Sequence, residues 1–531
     1  MLIHKEKNAL LLRLKDPNRV LTILPKSRRV LHEGKEYVAV RHGSDEVRVL
    51  NNLGILAPPP ILSQYSWPIN GGIKPFDAQL TTAAFFTLHD RLFCLNEMGT
   101  GKTLASLWGY DFLRSEGILH RALVVSTLSS LESTWADEIS NHLPHLRVSV
   151  VHGSRAQRMK ALAVDADIYI INHDGLKVPG MVEALGKRPD IDLILIDEIA
   201  QAVRNSGTDR FKAFNIVCNR QVPRKVWGMT GSPVPEAPTD AWAQCRITNP
   251  SNSDKYFSHF RERVMRRVGP FAWVPREDAQ DVVYQSMQPA IRFKRDECFD
   301  LPECIYESKD VALSDEQAKA YKQMTAQLIA EVAEGKITAL NEAAKGVKLV
   351  QIACGIAYGD DSEEVTLDAT PRMNVMLETI EEAATKVIVF APFVAVVKHL
   401  TAFLRRKGVA CECIYGGVSK AERSRIFGEF QHGPHLRVIV AQPSAMAHSL
   451  TLTAASTILW YAPVIVNETF EQANARITRA GQRNTQFIVM LACTEIERRW
   501  YQRLKNKQKV QGVLLDMVQG SRKKSAASLF L

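Results

Sequence analysis

The segment FCLNEMGTGKTLASL sets Gly99, Thr100, Gly101, Lys102 and Thr103 between an apolar run ending at Leu95 and a stretch of helical length. A loop of free backbone N–H groups that opens the positive end of a helix cradles phosphates. In that context Lys102 reaches the β and γ phosphates of a nucleoside triphosphate, and the Thr103 hydroxyl is a ligand for magnesium. Asn96 stands where the template has its first glycine, but Gly99 and Gly101 still let the backbone approach the phosphates. Further on, LILIDEIAQA puts Asp197 and Glu198 at the end of a buried strand. Alone, such a pair is a helix cap or a solvated turn. Downstream of a phosphate loop it divides the work, Asp197 holding the metal and Glu198 polarising the attacking water. In KVWGMTGSPVP a third strand ends in Thr230, Gly231 and Ser232, whose hydroxyls could sense the γ-phosphate and couple it to a second ligand. Finally, FEQANARITRAGQ spaces Arg476 and Arg479 three apart, on one face if the segment is helical. Guanidiniums supplied from another domain fit phosphate oxygens bidentately and make hydrolysis depend on domain closure.

These residues need strands and helices that bring them together. From residue 91 the runs RLFCL, ALVVS, RVSVV, DIYII, LILI and KVWGM alternate with amphipathic segments. The rhythm returns in KVIVF, CECIY, RVIVA, STILWY and QFIVML. Apolar runs of this kind predict parallel strands buried on both faces, so the chain should hold two doubly wound α/β domains. Residues 236–347 carry no clear strand pattern, and 314–348 reads as mostly helix opened by a capping box of Ser314 and Gln317. Ahead of the first domain, ALLLRL, RVLTILP and EYVAVRHG read as short strands, DEVRVLNNLGI as a helix and APPPILSQYSWP as a Pro-rich linker. The division expected is a small β-rich module over 1–70, a nucleotide-binding domain over 71–250, a helical connecting region over 251–347, and a second domain with a C-terminal helix over 348–531.

Length agrees, since 531 residues exceed what one ordinary core spans. No apolar run reaches the roughly 18 residues a bilayer span needs, and MLIHKEKNAL has no secretory core, so the expectation is a cytoplasmic protein without a membrane partner. The nine cysteines lack paired metal-ligand spacing, and Cys411 and Cys413 read as small apolar side chains on one face of a strand. The formal charge is +10, and residues 1–50 hold 11 basic against 6 acidic side chains. Such an excess favours a polyanion and makes the N-terminal module a candidate recognition arm for DNA phosphates, with a structural cap on the first domain as the alternative.

Taken in order, NEMGTGKT, IDEIA, MTGSP and QANARITRAGQ resemble superfamily two helicases, specifically the Swi/Snf-type remodelling ATPases, whose last motif has the form QAxxRxxRxGQ. Gln472, Ala473, Arg476, Arg479, Gly481 and Gln482 fit it. The likeness spans about residues 74–515 and takes in KPFDAQ, VVSTLSSLESTWADEI, YGGVSKAERSRIFGEFQ and ERRWYQRLKNKQ. It implies two RecA-like domains with ATP in the cleft between them, an adenine-reading role for Gln79, an ATP contact for Gln472 and DNA-strand contacts through Ser126 and Thr127. It also implies magnesium as cofactor, duplex or branched DNA as partner, and work on the nucleoid of a bacterium or phage-infected host in replication, recombination or repair. The chain departs from the family at Ala200, where a histidine is usual, and in QPSAMAHSLTL, where the glycine-rich segment is missing and no DNA contact carries over to Ser444 or His448. Two other readings stand beside the translocase: a motor subunit of a restriction or defence complex, and a DNA-binding regulator whose ATPase has decayed.

Overall fold

The alternation in KEYVAVR turns Val38 and Val40 inward, where they meet Leu10 and Leu12 of a neighbouring strand and Val47 and Leu50 of the helix Ser44–Asn52. The result is a four-stranded antiparallel sheet of β1 (Leu2–His4), β2 (Ala9–Leu12), β3 (Arg28–His32) and β4 (Lys35–Arg41), in the order β1-β2-β4-β3. RVLTILP, expected as a strand, is instead the helix Asn18–Ile23. Its first turn is set locally: Pro17 precedes it and the Asp16 carboxylate accepts the Asn18 N–H at 3.1 Å, a start signal that outweighs β-branched propensity.

The computed structural model describes residues 1–68, 74–205, 207–220, 222–234, 237–269, 272–298, 302–333, 339–358, 364–446, 452–479 and 481–506. The chain divides into two compact units, Met1–Cys298 and Phe299–Lys509.

In the first unit the six predicted runs form β5 (Arg91–Cys94), β6 (Arg121–Ser126), β7 (Val148–Val151), β8 (Ile168–Asn172), β9 (Ile191–Ile196) and β10 (Lys225–Met229). A small hairpin follows, β11 (Met265–Arg267) with β12 (Trp273–Pro275), and then β13 (Ala290–Ile291). The main sheet is parallel, in the order β13-β5-β10-β9-β6-β8-β7. Alternate residues feed two cores: Leu123, Val125, Ile194 and Ile196 pack on one face, and Ala122, Val124, Leu193 and Leu195 on the other. The expected Pro-rich linker is packed on this unit. Tyr65 donates to Asp111 at 2.7 Å, and the Trp67 ring stands edge-on to Trp108 at 5.5 Å. The N-terminal sheet is tied on by Ser44, which donates to Glu116 at 2.6 Å, and by the Arg48–Asp90 ion pair.

The second unit repeats the architecture. Its strands are β14 (Cys304–Asp310), the short hairpin β15 (Ile356–Tyr358) and β16 (Glu364–Thr366), then β17 (Lys386–Phe390), β18 (Cys411–Ile414), β19 (Val438–Ala441), β20 (Ala455–Trp460) and β21 (Gln486–Ala492). The main sheet is parallel, in the order β14-β21-β20-β17-β19-β18. Cys411 and Cys413 lie on β18 and pack into one face of the core. The capping box forms as expected: the Gln317 N–H donates to the Ser314 hydroxyl at 3.1 Å and the Ser314 N–H to the Gln317 side chain at 3.2 Å. The four strands β11 to β14 fall where the pattern shows none. β14 is an edge strand, and its CIYESKD sequence is largely exposed and charged, which is how edges avoid pairing with other chains. Two doubly wound parallel sheets in tandem, with a small antiparallel N-terminal sheet, therefore make up the fold. Among the described residues no helix is long and apolar enough to cross a membrane.

Candidate active site

Four adjacent strands of the first unit, β5, β10, β9 and β6, end nearly level. Cys94 pairs with Met229, Ile196 with Gly228, and Val125 with Ile196. Two more bonds extend the ladder, Thr230 N–H to the Cys94 carbonyl at 3.1 Å and Asp197 N–H to the Val125 carbonyl at 2.9 Å. The phosphate loop, the Asp197–Glu198 pair, residues 230–232 and Ser126–Thr127 continue these ends, so they meet along one edge, the carboxyl edge at which open parallel sheets bind ligands. Burial pushes the Cys94 thiol up to about 11, and Lys102, Arg292 and Asp197 all act on it electrostatically.

Gly99 and Gly101 of the phosphate loop take φ of +84° and +72°, a region open to glycine at little cost. Gly101 has a second reason to lack a side chain: a Cβ there would stand 2.1 Å from the Gln79 amide nitrogen. Gln79 is thereby placed against the loop, and its Oε1 accepts the Phe76 N–H at 3.3 Å. The helix Lys102–Ser115 starts at Gly101, and Lys102 Nζ donates to the carbonyls of Asn96 and Glu97 at 2.8 and 3.1 Å. Thr103 is the second residue of that helix, and the Thr100 hydroxyl donates to the Glu97 carbonyl at 2.7 Å. Gly231 lies against the same loop, with Asn96 O and Met98 N each 3.6 Å from a Cβ built on it. Thr230 and Ser232 beside it are buried, and the Ser232 N–H donates to Thr230 Oγ1 at 3.2 Å.

Residues not singled out by the motifs hold this loop from behind. The Asn96 amide donates to Thr82 Oγ1 at 2.9 Å, and its carbonyl oxygen accepts the Phe293 N–H at 2.9 Å. The glycine of the template could make neither bond. Arg292, 2 % exposed, donates to the Leu95 carbonyl at 2.6 Å and to the Glu97 carboxylate at 2.7 Å. Arg292 lies 197 residues from Leu95 along the chain, and no local pattern announces it.

Asp197 and Glu198 follow β9. Glu198 has φ +49° and caps the short helix Ile199–Ala202, a conformation that costs a non-glycine residue about 1 kcal/mol or more and gathers at functional sites. Asp197 Oδ2 accepts two hydrogen bonds, from Ser126 Oγ at 2.9 Å and from Trp135 Nε1 at 3.0 Å. Its backbone carbonyl accepts from His173 Nε2 at 2.9 Å, and burial lowers the affinity of that imidazole for a proton. Ser126, expected at a DNA strand, is wholly buried, and its hydroxyl donates to Asp197. Thr127 is partly exposed, and its hydroxyl meets Ser130 Oγ at 2.6 Å. Trp135, missed in the sequence, reaches Asp197 from the π-helical stretch Leu131–Ala136, the kind of widened turn that recurs at functional sites.

In the second unit Gln472 lies on the helix Asn467–Asn474 and donates to Glu468 at 3.1 Å. That helix stops before the arginine pair. Arg476 and Arg479 sit in the turn and bend that follow, not on a shared helical face. The turn is fixed by Gln482, which is buried and donates to the carbonyls of Ala455 and Ile477 at 2.8 and 3.2 Å. The Arg479 Nε donates to the Ala475 carbonyl at 3.2 Å. Arg476 is 3 % exposed, and burial together with the neighbouring Arg479 charge pushes its guanidinium down to about 9. Ser444 belongs to the short turn Pro443–Ala445, whereas His448 is outside the described residues.

Residues 88–353 match the SNF2-related domain, and residues 371–481 match the helicase conserved C-terminal domain. Protein p41 of Acyrthosiphon pisum secondary endosymbiont phage 1 is 25% identical over 446 residues, 79% of this chain and 93% of that protein. The SWI/SNF-related matrix-associated actin-dependent regulator of chromatin subfamily A-like protein 1 of Xenopus tropicalis is 25% identical over 447 residues, 80% of this chain but only 43% of the frog protein. Among solved structures, the Sulfolobus solfataricus SWI2/SNF2 ATPase core in complex with dsDNA aligns over 87% of this chain and 98% of its own, with 22% identity and a TM-score of 0.41. With half of its length matched by the SNF2-related domain and the helicase C-terminal domain following in order, the chain belongs to the SNF2 ATPases of helicase superfamily 2.

Proposed function

We propose that the chain is an ATP-dependent DNA translocase acting on duplex or branched DNA. The observation that supports this most is the convergence of the phosphate loop, the Asp197–Glu198 pair and residues 230–232 on one edge of a parallel sheet, in a chain of the SNF2 family with a net charge of +10. Lys102 and the loop N–H groups would hold the β and γ phosphates, and Gln79 and Gln472 would complete the ATP contacts. Hard oxygen donors suit magnesium, and the Thr103 hydroxyl and Asp197 carboxylate supply them at this edge, Asp197 being already oriented by Ser126 and Trp135. Magnesium, when bound, would offset the negative charge of the β and γ phosphate oxygens.

Glu198 would accept a hydrogen bond from the attacking water and draw off its proton. Arg476 and Arg479 would bring guanidiniums to the γ-phosphate, so that turnover needs both units. Thr230, Gly231 and Ser232, of which Gly231 packs against the phosphate loop, would relay nucleotide state to the nucleic-acid contacts, among them Thr127. The test is phosphate release measured with single-stranded, duplex, forked and four-way DNA and with RNA. Stimulation by duplex or branched DNA is expected. A rate indifferent to every nucleic acid, or stimulated by RNA alone, would overturn the reading.

A further inference from the structure

Residues 254–278 of the first unit hold six basic side chains, Lys255, Arg261, Arg263, Arg266, Arg267 and Arg276, against four acidic ones, Asp254, Glu262, Glu277 and Asp278, three of which lie at the two ends. The fold presents this segment outward on the helix Phe257–Val264 and the hairpin β11–β12. Phe260 and Val264 of the helix turn into the core, while Tyr256, His259, Arg263, Arg266 and Arg267 are exposed. Tyr256, His259 and Arg263 follow one another at three- and four-residue steps, which aligns them along one side. The Tyr256 ring is 56% exposed, edge-on to His259 at 5.6 Å, with Lys255 Nζ at 5.4 Å from its centre. Phe257 is instead anchored against Trp242, and Arg261 lies over Trp273 at 4.3 Å, so these rings build the platform. Arg263 also pairs with Asp254 at 2.9 Å, and the Arg267 Nε donates to the Gly269 carbonyl at 3.0 Å.

We propose that this surface is a second nucleic-acid contact, apart from the residues of the ATP site, that takes a single-stranded stretch of DNA. Its phosphates would lie along Arg263, Arg266 and Arg267, and one base would stack on Tyr256. Guanidiniums beside an exposed ring match the two repeating features of a single strand, its phosphates and its base faces. A duplex offers the phosphates but keeps its bases stacked inside, so Tyr256 is the residue that separates the two forms. The proposal rests on the reading of the chain as a DNA translocase and adds to it a grip on the unpaired part of a branched substrate.

The experiment uses the full chain with a fluorescein-labelled oligo(dT) strand and a labelled duplex of the same length, titrated across a salt series. Replacing Arg263, Arg266 and Arg267 together by Ala should lower the slope of log affinity against log salt for the single strand by about 2, at roughly 0.7 per phosphate contact. The same three positions changed to Lys should keep the slope. Tyr256→Ala should weaken single-strand binding about 5- to 150-fold at unchanged slope, and should leave duplex binding as it is. Basal ATPase should be the same in all variants. Wild-type protein that binds DNA while both variants keep its affinity and slope would overturn this inference alone, as would equal losses on strand and duplex in Tyr256→Ala. Wild-type protein that binds neither DNA would overturn the translocase reading with it.

Discussion

Trp135→Phe removes one N–H group from the centre of the site and leaves most of the ring in place. The indole is fully buried, and its Nε1 donates to Asp197 Oδ2 at 3.0 Å and lies 3.2 Å from Ser126 Oγ. A hydrogen bond to a charged group contributes about 1.5–3 kcal/mol, and loss of a partner that orients a metal-ligating side chain typically costs about 10- to 100-fold in metal affinity. If Asp197 holds magnesium, the magnesium concentration for half-maximal ATPase should rise about tenfold or more in Trp135→Phe. Turnover at saturating magnesium should recover most of the wild-type rate. The smaller ring also leaves a gap in the core around Ile139 and Leu143, which costs about 1–3 kcal/mol and appears as a lower Tm. The two effects separate in the assay, because packing loss lowers Tm without moving the magnesium dependence. Ser126→Ala should shift that dependence less, since the Trp135 donor remains, and the double variant should be non-additive because the three groups share one cluster. A Trp135→Phe protein with normal magnesium dependence, at whatever rate, would refute the assignment of this indole to Asp197 and weaken that of Asp197 to the metal.

Lys102→Ala should abolish turnover with the fold retained, measured by phosphate release and circular dichroism, whereas Glu198→Gln should still bind a fluorescent ATP analogue but not hydrolyse ATP. Arg479→Ala should cut hydrolysis by orders of magnitude, about 10³ for an arginine finger, with little change in ATP affinity. Arg476→Gln should do the same and also raise Tm at neutral pH: the folded-state pKa is depressed to about 9, so the charged form costs stability below that pH, and the cost fades as pH rises through it. Burial lowers the pKa of His42 and His89 below the usual 6.5; the folded form therefore binds fewer protons, and denaturation midpoints of the first unit should fall as pH drops below about 6.5. Deleting residues 1–68 should yield a heat-labile or insoluble protein, because the truncation strips Tyr65 and Trp67 from Asp111 and Trp108 and removes the partners of Glu116 and Asp90; a soluble truncation with wild-type Tm would favour the recognition arm instead.

What the sequence makes legible here is whatever depends on one stretch of chain at a time. Uninterrupted Val, Ile and Leu runs mark β5 to β10 and β17 to β21 because a strand covered on both faces has no polar positions to spare. The phosphate loop is legible for the same reason, since its glycines, Lys102 and Thr103 are consecutive. β14 escapes because an edge strand is half solvated, and CIYESKD reads as loop. RVLTILP misleads because a Pro and an Asp at its start decide its backbone before propensity does.

The residues around the reacting groups are the least legible, since their roles exist only after folding. Ser126 looks like a surface hydroxyl until β6 and β9 pair and turn it onto Asp197. Arg476 and Arg479 have helical spacing, yet Gln482 ties the segment to β20 and makes it a turn. Asn96 reads only as a tolerated departure from the phosphate-loop template, but in the fold it bridges Thr82 and Phe293. Ala200, where the family has a histidine, is buried with no polar side chain to offer. The segment that carries Thr127 nevertheless stays linked to the Asp197 carboxylate, because Ser126 and Trp135 flank it and both bond to Asp197. If, as proposed, a nucleic-acid strand docks at Thr127, a shift of 126–136 would be felt at Asp197 Oδ2 through these two hydrogen bonds, a route that needs no histidine at position 200.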